Sequence, residues 1–326
     1  MALFIAQPFS NASELDSIIF FGMGPVSLKS LEKLSGSFLI EAIITKPDTS
    51  RGKTPGESVS SWAEKNKVPF YQPDSSAAIY ELFENKGFVS KVGVVIDYGL
   101  IIPEKVINSF PKGIINSHFS LLPKLRGADP ITFALLSGQS STGVSLMKIQ
   151  PGLDTGDILA SQEVPIAANE TNESLTKKLI ATSSELLIST LPSYISGKKS
   201  TLTEQDERQA TYSRKLSKSD GQLSWSKSAF TLEREIRAFK PWPGSFTMID
   251  GERVVIDEAH AEKVDKTTDG IGKMLISQDK NLVVRCGDDT ILVIERLKPA
   301  GKSLMEAKAF LAGRQLFMKT LTKITI

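Results

Sequence analysis

Hydrophobic positions in the first part of the chain fall into short, nearly unbroken runs: SIIFFG, FLIEAIIT, VPFYQP, KVGVVIDYGLIIP and GIINSH. Runs of this length, rich in β-branched and aromatic residues and lacking polar alternation, predict strands covered on both faces, as in a parallel sheet. Between them lie helix-period stretches, MGPVSLKSLEKL and SAAIYELFENKG, so strand and helix alternate as in an α/β domain. From 171 to 195, Leu175, Leu179, Ile180, Leu186, Leu187, Leu191 and Ile195 trace one helical face, with Thr171 or Asn172 to cap its start. Periodicity is then lost across SGKKSTLTEQDERQATYSRKLSKSDG, which predicts a charged linker over 200–220. Beyond it, SAFTLEREIRAF puts Leu232, Ile236 and Phe239 on one face of a short helix stopped by Pro241 and Pro243, and PWPG reads as a rigid packing corner. Five alternating runs follow, SFTMID, ERVVIDEAH, GKMLISQ, NLVVRCG and TILVIERLKP. Short strands with turn signals predict a small, open five-stranded barrel of the OB type. The expected organisation is an extension over 1–16, an α/β domain over 17–199, a basic linker over 200–220 and an OB-like domain over 221–326.

Composition narrows the class without changing this picture. A chain of 326 residues fits two domains, and 40% hydrophobic with 23% charged residues is ordinary for a soluble globular protein. Cys286 stands alone, which leaves no internal disulfide and no cysteine-based metal site and fits a reducing, cytoplasmic setting. The opening MALFIAQPFSNASELD has no basic flank and its apolar run breaks at Gln7 and Pro8, so it reads as an extension instead of a signal peptide; no stretch approaches a membrane span. Net charge is only +2, yet seven Lys or Arg (Arg296, Lys298, Lys302, Lys308, Arg314, Lys319, Lys323) face one acid, Glu306, between 296 and 326. The loop KPDTSRGKTPGESVSSW adds Lys46, Arg51 and Lys53. Such stretches suit a phosphate backbone, and equally suit a solvated flank.

The candidate chemistry lies between 113 and 157. His118, one of two histidines, follows Asn116 by two residues where an apolar strand runs out into a loop, and ligands of open α/β sheets bind at the carboxyl ends of strands. Asp154, in PGLDTGD, follows a second strand, TGVSLMKI, and is expected to return to the same sheet edge. An imidazole relays protons near neutral pH, a carboxylate orients it, and a carboxamide NH₂ donates to an oxyanion while staying uncharged. Asn116, His118 and Asp154 together suit acyl transfer to an amine; on the residues alone, a structural histidine beside turn-forming Asn and Asp remains open. Gly22, Gly24 and Ser27 make only a partial dinucleotide motif, read as a tight turn. Asp97 at a strand end needs a partner if buried, and Asp129 fits an N-cap for a helix beginning at Pro130. Arg126 either bridges a carboxylate or is solvated, and His260 is taken as structural.

Taken together, INSHFSLLPKLRGADPI, TGVSLMKIQPGLDTGDIL, TYSRKLSKSDGQLSW, LEREIRAFKPWPG and LKPAGK resemble the formyltransferases that use 10-formyltetrahydrofolate, most closely those acting on initiator tRNA. The resemblance spans nearly the whole chain. It implies a Rossmann-like formyltransferase domain, catalytic roles for Asn116, His118 and Asp154, and folate contacts from Ser120, Leu121, Leu122 and Pro123. It also implies initiator methionyl-tRNA as acceptor in translation initiation, gripped by the OB-like domain and by Arg51, Lys53 and Lys215, with a monomer expected and no metal or membrane. The basic loop is shorter than is usual in the family, and Asp97 and Asp129 depart from its pattern. Transfer to an amino-sugar nucleotide, or RNA binding without catalysis, are the alternatives.

Overall fold

The computed structural model describes residues 15–47, 58–198, 201–265, 270–314, 317 and 321–324. Arg51, Lys53, Lys319 and nearly all of the N-terminal extension therefore lie outside the described residues. Contacts divide the chain into two compact units: Met1–Gly127, Thr142–Val164 and Thr176–Tyr212 form the first, and Ala128–Ser141, Pro165–Leu175 and Ser213–Ile326 the second.

In the first unit, β1 (Ser17–Gly22) passes through α1 (Gly24–Leu34) to β2 (Leu39–Ile44), and α2 (Val59–Asn66) leads to β3 (Phe70–Tyr71). Next come α3 (Ser76–Asn85), β4 (Val92–Ile96), α4 (Glu104–Ser109) and β5 (Ile114–His118). With β6 (Ser141–Lys148) and β7 (Ile158–Pro165) they make a seven-stranded sheet of order β3-β2-β1-β4-β5-β6-β7. The pairs β1·β2, β2·β3, β1·β4 and β4·β5 are parallel, giving the doubly wound pattern that the unbroken apolar runs foretell. Ile18, Ile19, Phe20 and Phe21 of β1 and Val92, Val94 and Ile96 of β4 are wholly buried. One face packs an aromatic cluster in which Phe21 meets Tyr98 and Phe110 edge-on. Helix α5 (Asn172–Ile195) matches the periodic stretch, and the Thr171 hydroxyl accepts from the Ser174 N–H as its cap.

The glycine turn after β1 is tight. A Cβ on Gly22 would come within 2.6 Å of the Phe20 ring and 2.7 Å of Ser27. The Ser27 hydroxyl donates to the Ile96 carbonyl at 2.5 Å, and the Met23 N–H to the Asp97 carbonyl at 3.1 Å, which ties the ends of β1 and β4 together. Asp97 itself is exposed, at φ 49°, so it carries no desolvation cost.

Helix α6 (Ala229–Ala238) opens the main run of the second unit, followed by β8 (Phe246–Ile249), β9 (Glu252–Lys263), β10 (Met274–Ser277), β11 (Leu282–Cys286) and β12 (Thr290–Pro299). After α7 (Ala307–Ala312), β13 (Thr322–Ile324) completes the order β8-β9-β12-β11-β10-β13, antiparallel except at β10·β13. Alternate residues serve two cores: Leu282, Val284, Leu292 and Ile294 join Leu232 and Ile236 of α6, whereas Val283, Ile291 and Val293 join Leu275. This is the antiparallel domain expected of the five alternating runs.

Several local expectations need correction. Trp242 is 49% exposed, so the PWPG turn presents its aromatic and does not pack it inward. Asp129 stands at the N-cap of the Pro130–Ser137 helix but makes no side-chain cap; its carboxylate accepts from the Leu216 N–H at 3.0 Å. The C-terminal basic stretch is partly neutralised, because Arg296 pairs with Glu258 and Glu306, and Arg314 with Asp250 and Glu252. Residues 201–212 are no loose tether either, as Thr203 bridges to Ile158 and Gln205 is buried. His260 lies in β9, with its Nδ1 against Glu295 at 2.8 Å and its Nε2 against Glu262 at 3.0 Å.

Candidate active site

A strand points alternate side chains to opposite faces, so Asn116 and His118 share one face of β5 and Ser117 takes the other. There the Ser117 hydroxyl bonds that of Ser183 in α5 at 2.7 Å, anchoring the strand without using the two polar groups opposite. His118 is only 6% exposed. Its Nε2 lies 2.9 Å from the carbonyl of Leu125, and because a carbonyl can only accept, Nε2 carries the hydrogen. Nδ1 then holds the lone pair and faces Asp154 Oδ2 at 3.7 Å, a charge-pair distance and too long for a hydrogen bond. A proton taken up by His118 goes to Nδ1, beside the carboxylate.

Asp154 does return to His118 after its strand, but by way of a turn. Strand β6 runs antiparallel to β5, pairing His118 with Ser145 and Ile115 with Lys148, so β6 ends beside the start of β5 and not at its carboxyl end. The turn between β6 and β7 makes up the difference and returns the Asp154 side chain to His118. Asp154 has φ 54°, and its Oδ2 also accepts from the Gly127 N–H at 2.8 Å. Within the turn Gly156 is obligatory, since a Cβ there would sit 1.8 Å from the Lys148 carbonyl oxygen.

Asn116 is half-buried, with its backbone paired to Val95 and Met147. Among the described residues its carboxamide has no hydrogen-bond partner, which leaves two N–H donors for a ligand. In the following loop the Leu122–Pro123 peptide is cis. Ser120 is buried and its hydroxyl is already committed to the Lys124 carbonyl at 2.5 Å; Leu122 is buried too, with its N–H on Ser145 Oγ at 3.0 Å. Leu121 and Pro123 are the half-exposed members of the set. Of the residues expected at tRNA, only Lys215 is described, and it is exposed.

Around the pair lies a network in which Arg126 takes the carboxylate-bridging alternative of the two expected from the sequence, with partners the sequence does not name. Arg126, between the two backbone groups that hold His118 and Asp154, is wholly buried. Its Nε and Nη2 donate to Gln205 Oε1 at 3.1 and 2.8 Å, and Nη1 and Nη2 donate to Glu207 at 2.8 and 2.7 Å. The Glu207 hydrogen bonds raise the Arg126 pKa despite burial, and the guanidinium in turn lowers that of Glu207. Among the described residues no group of three or more His, Cys, Asp or Glu is placed to hold a metal ion.

A doubly wound domain with an imidazole and a carboxylate at the carboxyl end of β5, and on the same strand an amide that makes no hydrogen bond among the described residues, has the equipment of a group-transfer enzyme. Residues 25–191 match the family model described as formyl transferase, and 215–315 match that of the formyl transferase C-terminal domain, so the chain belongs to the formyltransferase family. More particularly, it is 37% identical over 302 residues to the methionyl-tRNA formyltransferase of Pseudoalteromonas translucida (strain TAC 125), covering 91% of this chain and 94% of the relative. In fold it is similar to an N-formyltransferase from Helicobacter canadensis solved with folinic acid and dTDP-3-aminofucose (TM-score 0.64, 18% identity, 86% of this chain and 98% of that one). It also resembles a variant of HypX from Aquifex aeolicus (TM-score 0.63, 16% identity), of which the chain covers 51% while 96% of this chain is matched.

Proposed function

We propose that this protein transfers the formyl group of 10-formyltetrahydrofolate to the amino group of methionyl initiator tRNA, supplying the formylated initiator for translation. The observation that carries the chemistry is the approach of His118 Nδ1 to Asp154 at 3.7 Å, two residues along β5 from an amide that makes no hydrogen bond among the described residues. The acceptor amine must be neutral to attack, and His118 takes its surplus proton at Nδ1, where the Asp154 carboxylate faces the charge that forms. Asn116 donates to the formyl oxygen as it becomes an oxyanion. The amine nitrogen bonds the formyl carbon, the bond from that carbon to N10 of the folate breaks, and N10 takes up the proton that the attacking nitrogen sheds as it becomes an amide. Half-exposed Leu121 and Pro123, with Ile101 82% exposed in the loop after β4, provide apolar surface for a flat pterin. Ser120 and Leu122 support that loop from within.

One comparison favours the tRNA acceptor: the relative at 37% identity is named for methionyl-tRNA and aligns over nearly its full length. On this reading 17–199 carries the chemistry, and 221–326, with Lys215, Arg51 and Lys53, binds the tRNA. A single chain holds all three reacting groups, which suits a monomer, and translation places it in the cytoplasm. The fold likeness to the N-formyltransferase solved with dTDP-3-aminofucose motivates the second reading, an amino-sugar nucleotide acceptor. Labelled formyl donor offered with charged initiator tRNA, uncharged tRNA and an amino-sugar nucleotide separates them. Label is expected on charged tRNA alone; label on the sugar, or on nothing, rejects the proposal.

A further inference from the structure

Two residues hold the His118 ring and its carboxylate in place, and both have left-handed backbones that are unfavourable for side-chain-bearing residues: Leu125 at φ 56° and Asp154 at φ 54°. Leu125 supplies the carbonyl at Nε2, and Asp154 the carboxylate opposite Nδ1. Such conformations persist only where the surroundings over-determine them. The surroundings here come from one distant segment. The Leu125 N–H donates to Thr211 Oγ1 at 2.9 Å, the Arg126 N–H to the Thr211 carbonyl at 2.8 Å, and the Thr211 N–H to the Pro123 carbonyl at 3.3 Å. Gln205 does the corresponding work on the other side. Its Oε1 is fixed by the Arg126 guanidinium, which leaves its NH₂ to donate to the Asp154 carbonyl at 2.9 Å and the Gly156 carbonyl at 2.6 Å.

We propose that Gln205, oriented by the buried Arg126 guanidinium, is a positioning residue for the proton relay: it fixes the Asp154 turn opposite His118 Nδ1, and the segment from 203 to 211 is a wall of the active site. Its amide reads the turn in one orientation only, because Arg126 can donate to oxygen alone and both carbonyls can accept from nitrogen alone. Glu207 pairs with the same guanidinium and balances its charge, and the amide itself is neutral. The role rests on the formyl-transfer reading above, although its structural half does not.

Gln205→Glu isolates the effect. The carboxylate still accepts from Arg126 but sets an oxygen against both carbonyls, so the turn withdraws and Asp154 leaves Nδ1. Long-range proton–nitrogen spectra of the full-length, nitrogen-15-labelled protein read His118 directly, with His260, the second of two histidines, as internal control. Wild type is expected to give the Nε2–H tautomer. In the variant the His118 nitrogen signals move, those of His260 stay, and kcat for formyl transfer falls by about ten- to a hundredfold, as for a misplaced catalytic group. KM for each substrate stays within about twofold, since ground-state contacts are untouched. Unchanged His118 signals together with kcat within about twofold of wild type overturn the proposal. If Gln205→Glu does not fold, judged by loss of the His260 signals, Gln205→Met, of similar volume and lacking both bonds, takes its place with the same two outcomes. A wild-type protein that transfers no formyl group sinks the functional reading, while the His118 spectra still decide the positioning.

Discussion

Asn116 offers the sharpest test of how the site stabilises charge. Its side chain makes no hydrogen bond within the described residues, while its backbone is held on both sides by β4 and β6, so truncation removes the proposed oxyanion donor without opening the sheet. Asn116→Ala should therefore melt within a few degrees of wild type. Loss of one oxyanion donor costs roughly 10²–10³ in kcat, or about 3–4 kcal/mol of transition-state stabilisation. Asn116→Asp keeps the shape and inverts the electrostatics: a carboxylate ~3 Å from a developing oxyanion, at an effective dielectric of about 20, repels it by roughly 5 kcal/mol. That adds to the lost donor, so the aspartate variant should be the slower of the two despite its closer shape. Single-turnover transfer from saturating 10-formyltetrahydrofolate to methionyl initiator tRNA measures the chemical step, and a thermal melt of each variant checks the fold. An alanine variant that stays folded and retains a third or more of the wild-type rate, or an aspartate variant faster than alanine, would refute the oxyanion role.

Three further outcomes follow from the geometry. Gly156→Ala drives a methyl group into the Lys148 carbonyl, so it should cost about 1–3 kcal/mol by denaturant titration and lower kcat through the displaced Asp154 turn; a variant as stable and active as wild type contradicts the placement of that turn. Burial pushes the Cys286 thiol up to about 12, so a thiol reagent at neutral pH should leave the native protein untouched and find one thiol once it is denatured. Burial acts to lower the His260 pKa, but its hydrogen bonds to the Glu295 and Glu262 carboxylates outweigh it and leave a net rise. A raised folded pKa means the stabilisation is fully present below the unfolded value of about 6.5 and lost as pH rises through the folded one. The ring is half-exposed, so the increment is roughly 0.2–1 kcal/mol, read as a stability drop on raising the pH above about 6.5 that His260→Gln lacks.

The sequence carried the parts of this fold that depend on local pattern. Unbroken apolar runs marked β1, β2, β4 and β5, and the 3.6-residue spacing from Leu175 to Ile195 marked α5, because burial on both faces and burial on one stripe leave different periods. Asn116 and His118 were legible for the same reason, as polar residues interrupting a buried strand at its exit. The antiparallel course of β6 was not, since a β-branched run does not state its direction. Nor could Arg126 be assigned: its partners Gln205 and Glu207 lie 79 and 81 residues away, in a segment whose polar composition resembles a solvated tether. Trp242 and Asp129 went astray in a simpler way, because neither turn propensity nor N-cap preference specifies where a side chain goes once the backbone is placed.

On the proposed reading His118, with Asp154 beside it, moves the amine proton during formyl transfer. Rapid-quench measurement of label passing from 10-formyltetrahydrofolate to methionyl initiator tRNA tests it most directly, with tetrahydrofolate release followed in the same samples. For wild type, one tetrahydrofolate should appear for each formylated tRNA, and His118→Asn should slow both by about 10²-fold or more, the range of general acid–base groups. A folded His118→Asn protein transferring label within about threefold of the wild-type rate would contradict the account.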